Sequence, residues 1–247
     1  MCVDPHLYKA TQSDIQKLEN ADIIFYNGLN LEGKLSDIFV RMGAKKPTVA
    51  VTETIPPEKL REPGEFDGHY DPHVWFDISL WTYAVERVRD ALMELDPEHA
   101  ETYRQNAAAY MKQLQELDGY AKEQIAQIPE RSRVLVTAHD AFGYFGQAYG
   151  MEVMGLQGIS TDAEYGVKDV QNLVNTLVER QIKAVFIESS VSPKAIEAVV
   201  EGAKEKGHDV VIGGELFSDA LGAAGTPEGT YIGMFRYNID TIVNALK

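Results

Sequence analysis

Residues 133–188 read RVLVTAHDAFGYFGQAYGMEVMGLQGISTDAEYGVKDVQNLVNTLVERQIKAVFIE, short apolar runs alternating with longer segments of helical spacing. Arg133 to Thr137 is the first strand of this stretch, followed by a helix-like segment from Asp140 to Tyr149 and a second strand from Met151 to Leu156. Val170, Leu173, Val174 and Leu177 recur at three- and four-residue steps and predict a helix over Val167 to Arg180, before a third strand at Ala184 to Glu188. Downstream, Ser192 reads as an N-cap and Pro193 as the first helical residue. The helix they open runs to Lys206 and stops at Gly207, ahead of a strand over Asp209 to Ile212. Strands that read as continuous apolar runs and are separated by helices belong to a parallel sheet covered on both faces. The fold class is therefore α/β, and residues 129–247 form a C-terminal α/β lobe.

Upstream of this lobe, Tyr103, Ala107, Tyr110, Met111, Leu114, Leu117, Ala121, Ile125 and Ile128 keep helical spacing without an internal proline, Gly119 being the one weak position. They predict a single interlobe helix over 98–128, which at 1.5 Å per residue is on the order of 45 Å long and stiff enough to restrict hinge bending. Residues 1–97 repeat the βα rhythm less fully: a helix from Ser13 to Ala21, a strand from Asp22 to Tyr26, a helix near Leu31 to Met42 and a strand from Thr48 to Thr52. Two parallel strands bury too little to be stable alone, so this N-terminal lobe is expected to lack its first elements.

Composition narrows the function. The chain has 247 residues, 45% of them hydrophobic, enough for one large or two modest packed domains. Its 38 acidic and 23 basic side chains give a formal charge of −15, which repels phosphate backbones and argues against a nucleic-acid partner. No apolar run is long enough to cross a bilayer and the N-terminus has no signal-peptide pattern. Cys2 is the only cysteine, which excludes an internal disulfide and a cysteine-built metal cluster; it reads as an incidental residue rather than a lipidation site.

The chemistry-bearing pattern is a repeated tripeptide, Asp4-Pro5-His6 and Asp71-Pro72-His73. Proline fixes its own φ and pushes the preceding aspartate toward extended geometry, so each imidazole is held in a defined direction. His139 follows the strand ending at Thr137, and Asp219 follows the strand ending in Gly213-Gly214; both lie beyond carboxyl ends of parallel strands, where open α/β sheets bind ligands. Three imidazoles and a carboxylate suit Zn²⁺, and a bidentate aspartate would extend the set to Mn²⁺ or Fe²⁺. Each residue also has an ordinary reading: a turn for Asp71-Pro72-His73, a helix N-cap for Asp219, a surface position for a lone histidine. His69 reads as a solvated loop histidine, His99 and His208 as surface residues, and Trp75 and Trp81 as core or interlobe packing. Glu188, at a strand end, is either a partner for a histidine N–H or a surface carboxylate.

Several blocks together carry a resemblance. Val3-Asp4-Pro5-His6, Asn27-Gly28-Leu29-Asn30-Leu31-Glu32, Asp71-Pro72-His73-Val74-Trp75-Phe76-Asp77, the run from Thr137 to Phe145, Ile187-Glu188-Ser189-Ser190 and Gly213 to Asp219 resemble the TroA-like family of ABC-transporter solute-binding proteins for zinc and manganese. The resemblance implies two α/β lobes joined by one rigid helix, His6, His73, His139 and Asp219 as metal ligands, a membrane permease as partner, a monomer, and a periplasmic or membrane-anchored extracellular location. Relatives specialised for zinc often carry a histidine-rich loop before the position of His73; here Glu62 to His69 is short and holds one histidine, and His139 stands where some manganese-specific relatives have glutamate. The rival reading is a zinc hydrolase using the same four residues with Glu188 as general base. A surface adhesin is a further alternative that no residue here encodes.

Overall fold

In the computed structural model, residues 3–64 and 68–247 are described; Cys2 and the middle of the short 62–69 loop, Glu65 to Asp67, lie outside them. The chain divides into two compact units, one of Pro5–Gln115 and one joining the residues up to Asp4 with Glu116–Lys247.

The N-terminal unit begins with α1 (Gln12–Asn20), opened by a capping box in which Thr11 and Asp14 satisfy each other's backbone N–H groups. Its far end is closed by Lys46, whose ammonium donates to the carbonyls of Leu18, Glu19 and Ala21. Strands β1 (Ile24–Tyr26) and β2 (Thr48–Ala50) pair in parallel, Ile24 opposite Thr48, with α2 (Ser36–Gly43) as their crossover. Ile24, Phe39 and Met42 form the core, and Tyr26 stacks on Phe39 with ring centroids 4.4 Å apart. The helix expected near Leu31 starts at Ser36, after the positive-φ residues Gly28, Leu29 and Asn30 and a 3-10 turn over Gly33–Leu35. Next come α3 (Ile78–Leu95), whose first turn Asp77 caps through Ser79 N, and α4 (Ala100–Ile125). The division between the units falls inside α4, so this helix carries the chain from one to the other.

In the C-terminal unit β3 (Val134–His139) is buried at every position, as a central parallel strand requires. After it come α5 (Gly143–Tyr149), β4 (Glu152–Gln157), α6 (Val167–Arg180), β5 (Ala184–Glu188), α7 (Lys194–Glu205), β6 (Val211–Leu216) and α8 (Tyr231–Leu246). β3 pairs in parallel with β4 and β5 with β6, while β3 and β5 lie against each other. The parallel α/β class read from the alternation is what forms.

Local differences have local causes. The helix after β3 starts at Gly143 rather than Asp140, because the Asp140 and Ala141 N–H groups go to the carbonyls of Gln157 and His139. The last strand runs from Val211 to Leu216, further than Asp209 to Ile212. Its two glycines fit because α8 packs closely there: a Cβ at Gly213 would meet Ala245 at 2.7 Å and one at Gly214 would meet Thr241 at 2.4 Å. Ser192 does not cap α7, which begins at Lys194 with Pro193 flanking it. His208 is buried rather than on the surface, its Nε2 2.7 Å from the Ile182 carbonyl.

Candidate functional site

The N-terminal unit holds one pair of chemistry-bearing side chains. His73 lies at the entry of a short 3-10 turn, Val74–Phe76, and is fully enclosed. Asp71, two residues earlier, turns back on it: one carboxylate oxygen accepts from the His73 backbone N–H at 3.0 Å and lies 2.7 Å from Nδ1. The other oxygen accepts from the Arg61 guanidinium, and the Asp71 N–H donates to the Arg61 carbonyl. A carboxylate on Nδ1 fixes the tautomer that leaves the Nε2 lone pair for a ligand bond. The Nε2 atoms of His73 and His6 lie 3.3 Å apart, and Trp75 packs edge-on against the His73 ring.

The loop after β1 holds this pair from behind. The Glu32 carboxylate accepts from the Asn27 and Gly28 N–H groups at 2.6 and 3.2 Å, and its burial pushes its pKa up. The Asn27 side-chain amide in turn donates to the Pro72 carbonyl at 3.0 Å. Gly28, at φ +88°, leaves no room for a side chain: a Cβ would meet Thr52 Oγ1 at 2.9 Å.

The C-terminal unit holds the second pair. His139 is the last residue of β3, and Asp219 follows β6 on a loop that α8 clamps. Asn238 accepts from Phe217 N at 3.0 Å and donates to Phe217 O at 2.7 Å. Glu188, at the end of β5, accepts from the His139 backbone N–H at 2.8 Å and lies 2.6 Å from Nδ1. His139 Nε2 is 3.3 Å from an Asp219 oxygen, with both side chains enclosed. Burial alone would lower the His139 pKa, but the adjacent Glu188 and Asp219 carboxylates outweigh it and raise it well above the usual imidazole value. Asp71 is also paired with Arg61, whereas the ion-pair partner of Glu188 is His139 itself.

Each unit thus repeats one arrangement, an Nε2 directed by a carboxylate on Nδ1 and set 3.3 Å from a second donor atom. Glu188 takes the partner role that a strand-end carboxylate suggested. Arg61 and Asn238 were not anticipated; Asn238 was legible as a lone amide on the apolar stripe of Phe235, Ile239 and Ile242. His69 and His99 are exposed and His99 is paired with Asp96, as loop and surface residues.

The chain matches the family model described as zinc-uptake complex component A, periplasmic, over residues 2–245. It is 59% identical over 245 residues to the manganese-binding lipoprotein MntA of Bacillus subtilis (strain 168), covering 99% of this chain and 80% of that one. Against the zinc-binding protein TroA of Treponema pallidum (strain Nichols) it is 50% identical over 244 residues, covering 99% and 79%. The solved structure of the periplasmic zinc-binding protein TroA from Treponema pallidum superposes with a TM-score of 0.96 at 50% identity, over 99% of this chain and 87% of that one. With the model matched almost end to end and two such relatives covered over most of their length, this chain belongs to the family of zinc-uptake complex component A.

Proposed function

We propose that the chain binds one divalent transition-metal ion with His6, His73, His139 and Asp219 and delivers it to the permease of an ABC importer. The observation that carries this reading is the spacing within each pair. A tetrahedral Zn²⁺ with bonds of about 2.0–2.1 Å separates neighbouring donors by about 3.3–3.4 Å. The His6–His73 and His139–Asp219 donors, each pair inside its own unit, are both 3.3 Å apart. Neutral imidazoles directed by carboxylates are the ordinary dress of such ligands.

Two pairs on two units suit capture and release better than turnover. A receptor gives up its ion by parting one pair of ligands from the other, whereas a hydrolase needs an open coordination position. Family membership favours transport over the hydrolase, and nothing supports an adhesin. In this reading lobes 1–97 and 129–247 are joined by the 98–128 helix as a stiff connector. The protein works as a monomer outside the cytoplasmic membrane. The donor set favours zinc, while manganese, and iron through a bidentate Asp219, remain cargo the same atoms can hold.

Calorimetric titration of metal-stripped protein with Zn²⁺, Mn²⁺ and Fe²⁺ tests the reading. One ion per chain is expected, with loss of binding by at least about a hundredfold in His139→Ala. A folded wild-type chain that takes up none of the three metals would refute it.

A further inference from the structure

The two Asp-Pro-His tripeptides are used differently. In the second, Asp71 turns back onto His73. In the first, Asp4 accepts a 2.6 Å hydrogen bond from the Thr161 hydroxyl, a residue 157 positions away in the loop between β4 and α6. Both ends of this bond belong to the C-terminal unit, and the chain leaves that unit at the next peptide bond, between Asp4 and Pro5.

Thr161 is itself firmly held. The Gln157 side-chain amide donates to the carbonyls of Thr161 and Ala163, both at 2.6 Å, and Ala163 N closes a turn onto the Ser160 carbonyl at 3.0 Å. Gln157 is the last residue of β4 and the register partner of His139 in β3. A continuous line therefore runs from the strand end bearing His139, through Gln157 and Thr161, to Asp4. From Asp4 onward the chain is stiff, because Pro5 has a fixed φ and restricts the residue before it. Anchoring the Asp4 carboxylate thus constrains the backbone of His6 two residues later.

We propose that Thr161 is a positioning residue for metal retention, holding the His6 segment to the C-terminal unit through Asp4 so that the ion is not lost by swinging of His6. This rests on the metal-binding reading above. The hydroxyl does not touch the ion; it limits the freedom of one of its ligands, so its loss acts on dissociation rather than on the affinity of the remaining donors.

The test follows Zn²⁺ dissociation into excess chelator by stopped flow for the wild type, Thr161→Val, Thr161→Ser, Asp4→Ala and the double variant Thr161→Val/Asp4→Ala. Thr161→Val and Asp4→Ala are each expected to speed release by about tenfold or more, the range seen when partners of metal ligands are removed. The double variant should be no faster than the faster single one, and Thr161→Ser should keep the wild-type rate, with the melting temperature of the metal-free protein the same across the set. Wild-type release from Thr161→Val, multiplicative effects in the double variant, or a Thr161→Ser protein as fast as Thr161→Val would overturn the proposal. Those outcomes leave zinc binding itself intact, whereas a wild type that binds no zinc sinks the metal reading and this one with it.

Discussion

Two buried carboxylates, Asp71 and Glu188, do for His73 and His139 what the sequence could only hint at, turning generic histidines into directed donors. Their effects should be separable. The adjacent carboxylates raise the His139 pKa and so favour its imidazolium, and in the metal-binding reading proposed above a proton must leave when the metal arrives. Affinity should fall as pH falls, starting above the pH at which an ordinary histidine near 6.5 would begin to compete. Glu188→Gln removes the charge that favours the imidazolium. It should weaken Zn²⁺ binding about ten- to a hundredfold at the upper end of the range, yet move the onset of proton competition to lower pH. Calorimetry in two buffers of different ionisation enthalpy, run between about pH 8 and pH 5.5, reads both quantities; unchanged proton release in Glu188→Gln would contradict the assignment.

At the scale of elements, glycines divide into those the fold needs and those it tolerates. Gly119 sits exposed inside α4 with nothing within 4 Å of a would-be Cβ, so Gly119→Ala should stabilise the protein by about 0.5–1 kcal/mol. Gly207 closes α7 at φ +77°, its N–H donating to Lys204 O and the next N–H to Ala203 O, so Gly207→Ala should cost about 1 kcal/mol despite equal room. Urea titration checks both signs.

The same contrast explains which elements were legible. α6 could be read from its apolar spacing, α7 from Pro193 and Gly207 at its two ends, and β3 because a fully buried parallel strand is a continuous apolar run. The helices α3 and α8 received no assignment from sequence, and β6 was cut short at Ile212. Gly213-Gly214 looks like a strand end until α8 is known to pack against it. His6, His73, His139 and Asp219 were legible as residue types at strand ends and after Asp-Pro. Arg61 and Thr161 were not, because no apolar spacing marks the hydrogen bonds they make to the Asp71 and Asp4 carboxylates.

Over the whole molecule, a formal charge of −15 surrounds any incoming dication with an attractive field. The rate of Zn²⁺ association should therefore fall as salt rises, which stopped flow at varied ionic strength measures. The field is also uneven at the candidate ligands. In the N-terminal unit the carboxylate behind the imidazole is also paired with Arg61, while in the C-terminal unit two carboxylates, Glu188 and Asp219, face the single imidazole of His139. The salt slope should accordingly flatten in Asp219→Asn and persist in His6→Ala. Such an imbalance gives the encounter a direction in time. In the metal-binding reading proposed above, the ion is expected first at the two carboxylates that face His139, with the imidazoles of His6 and His73 acting afterwards as a clasp, so that one pair of donors would govern arrival and the other residence.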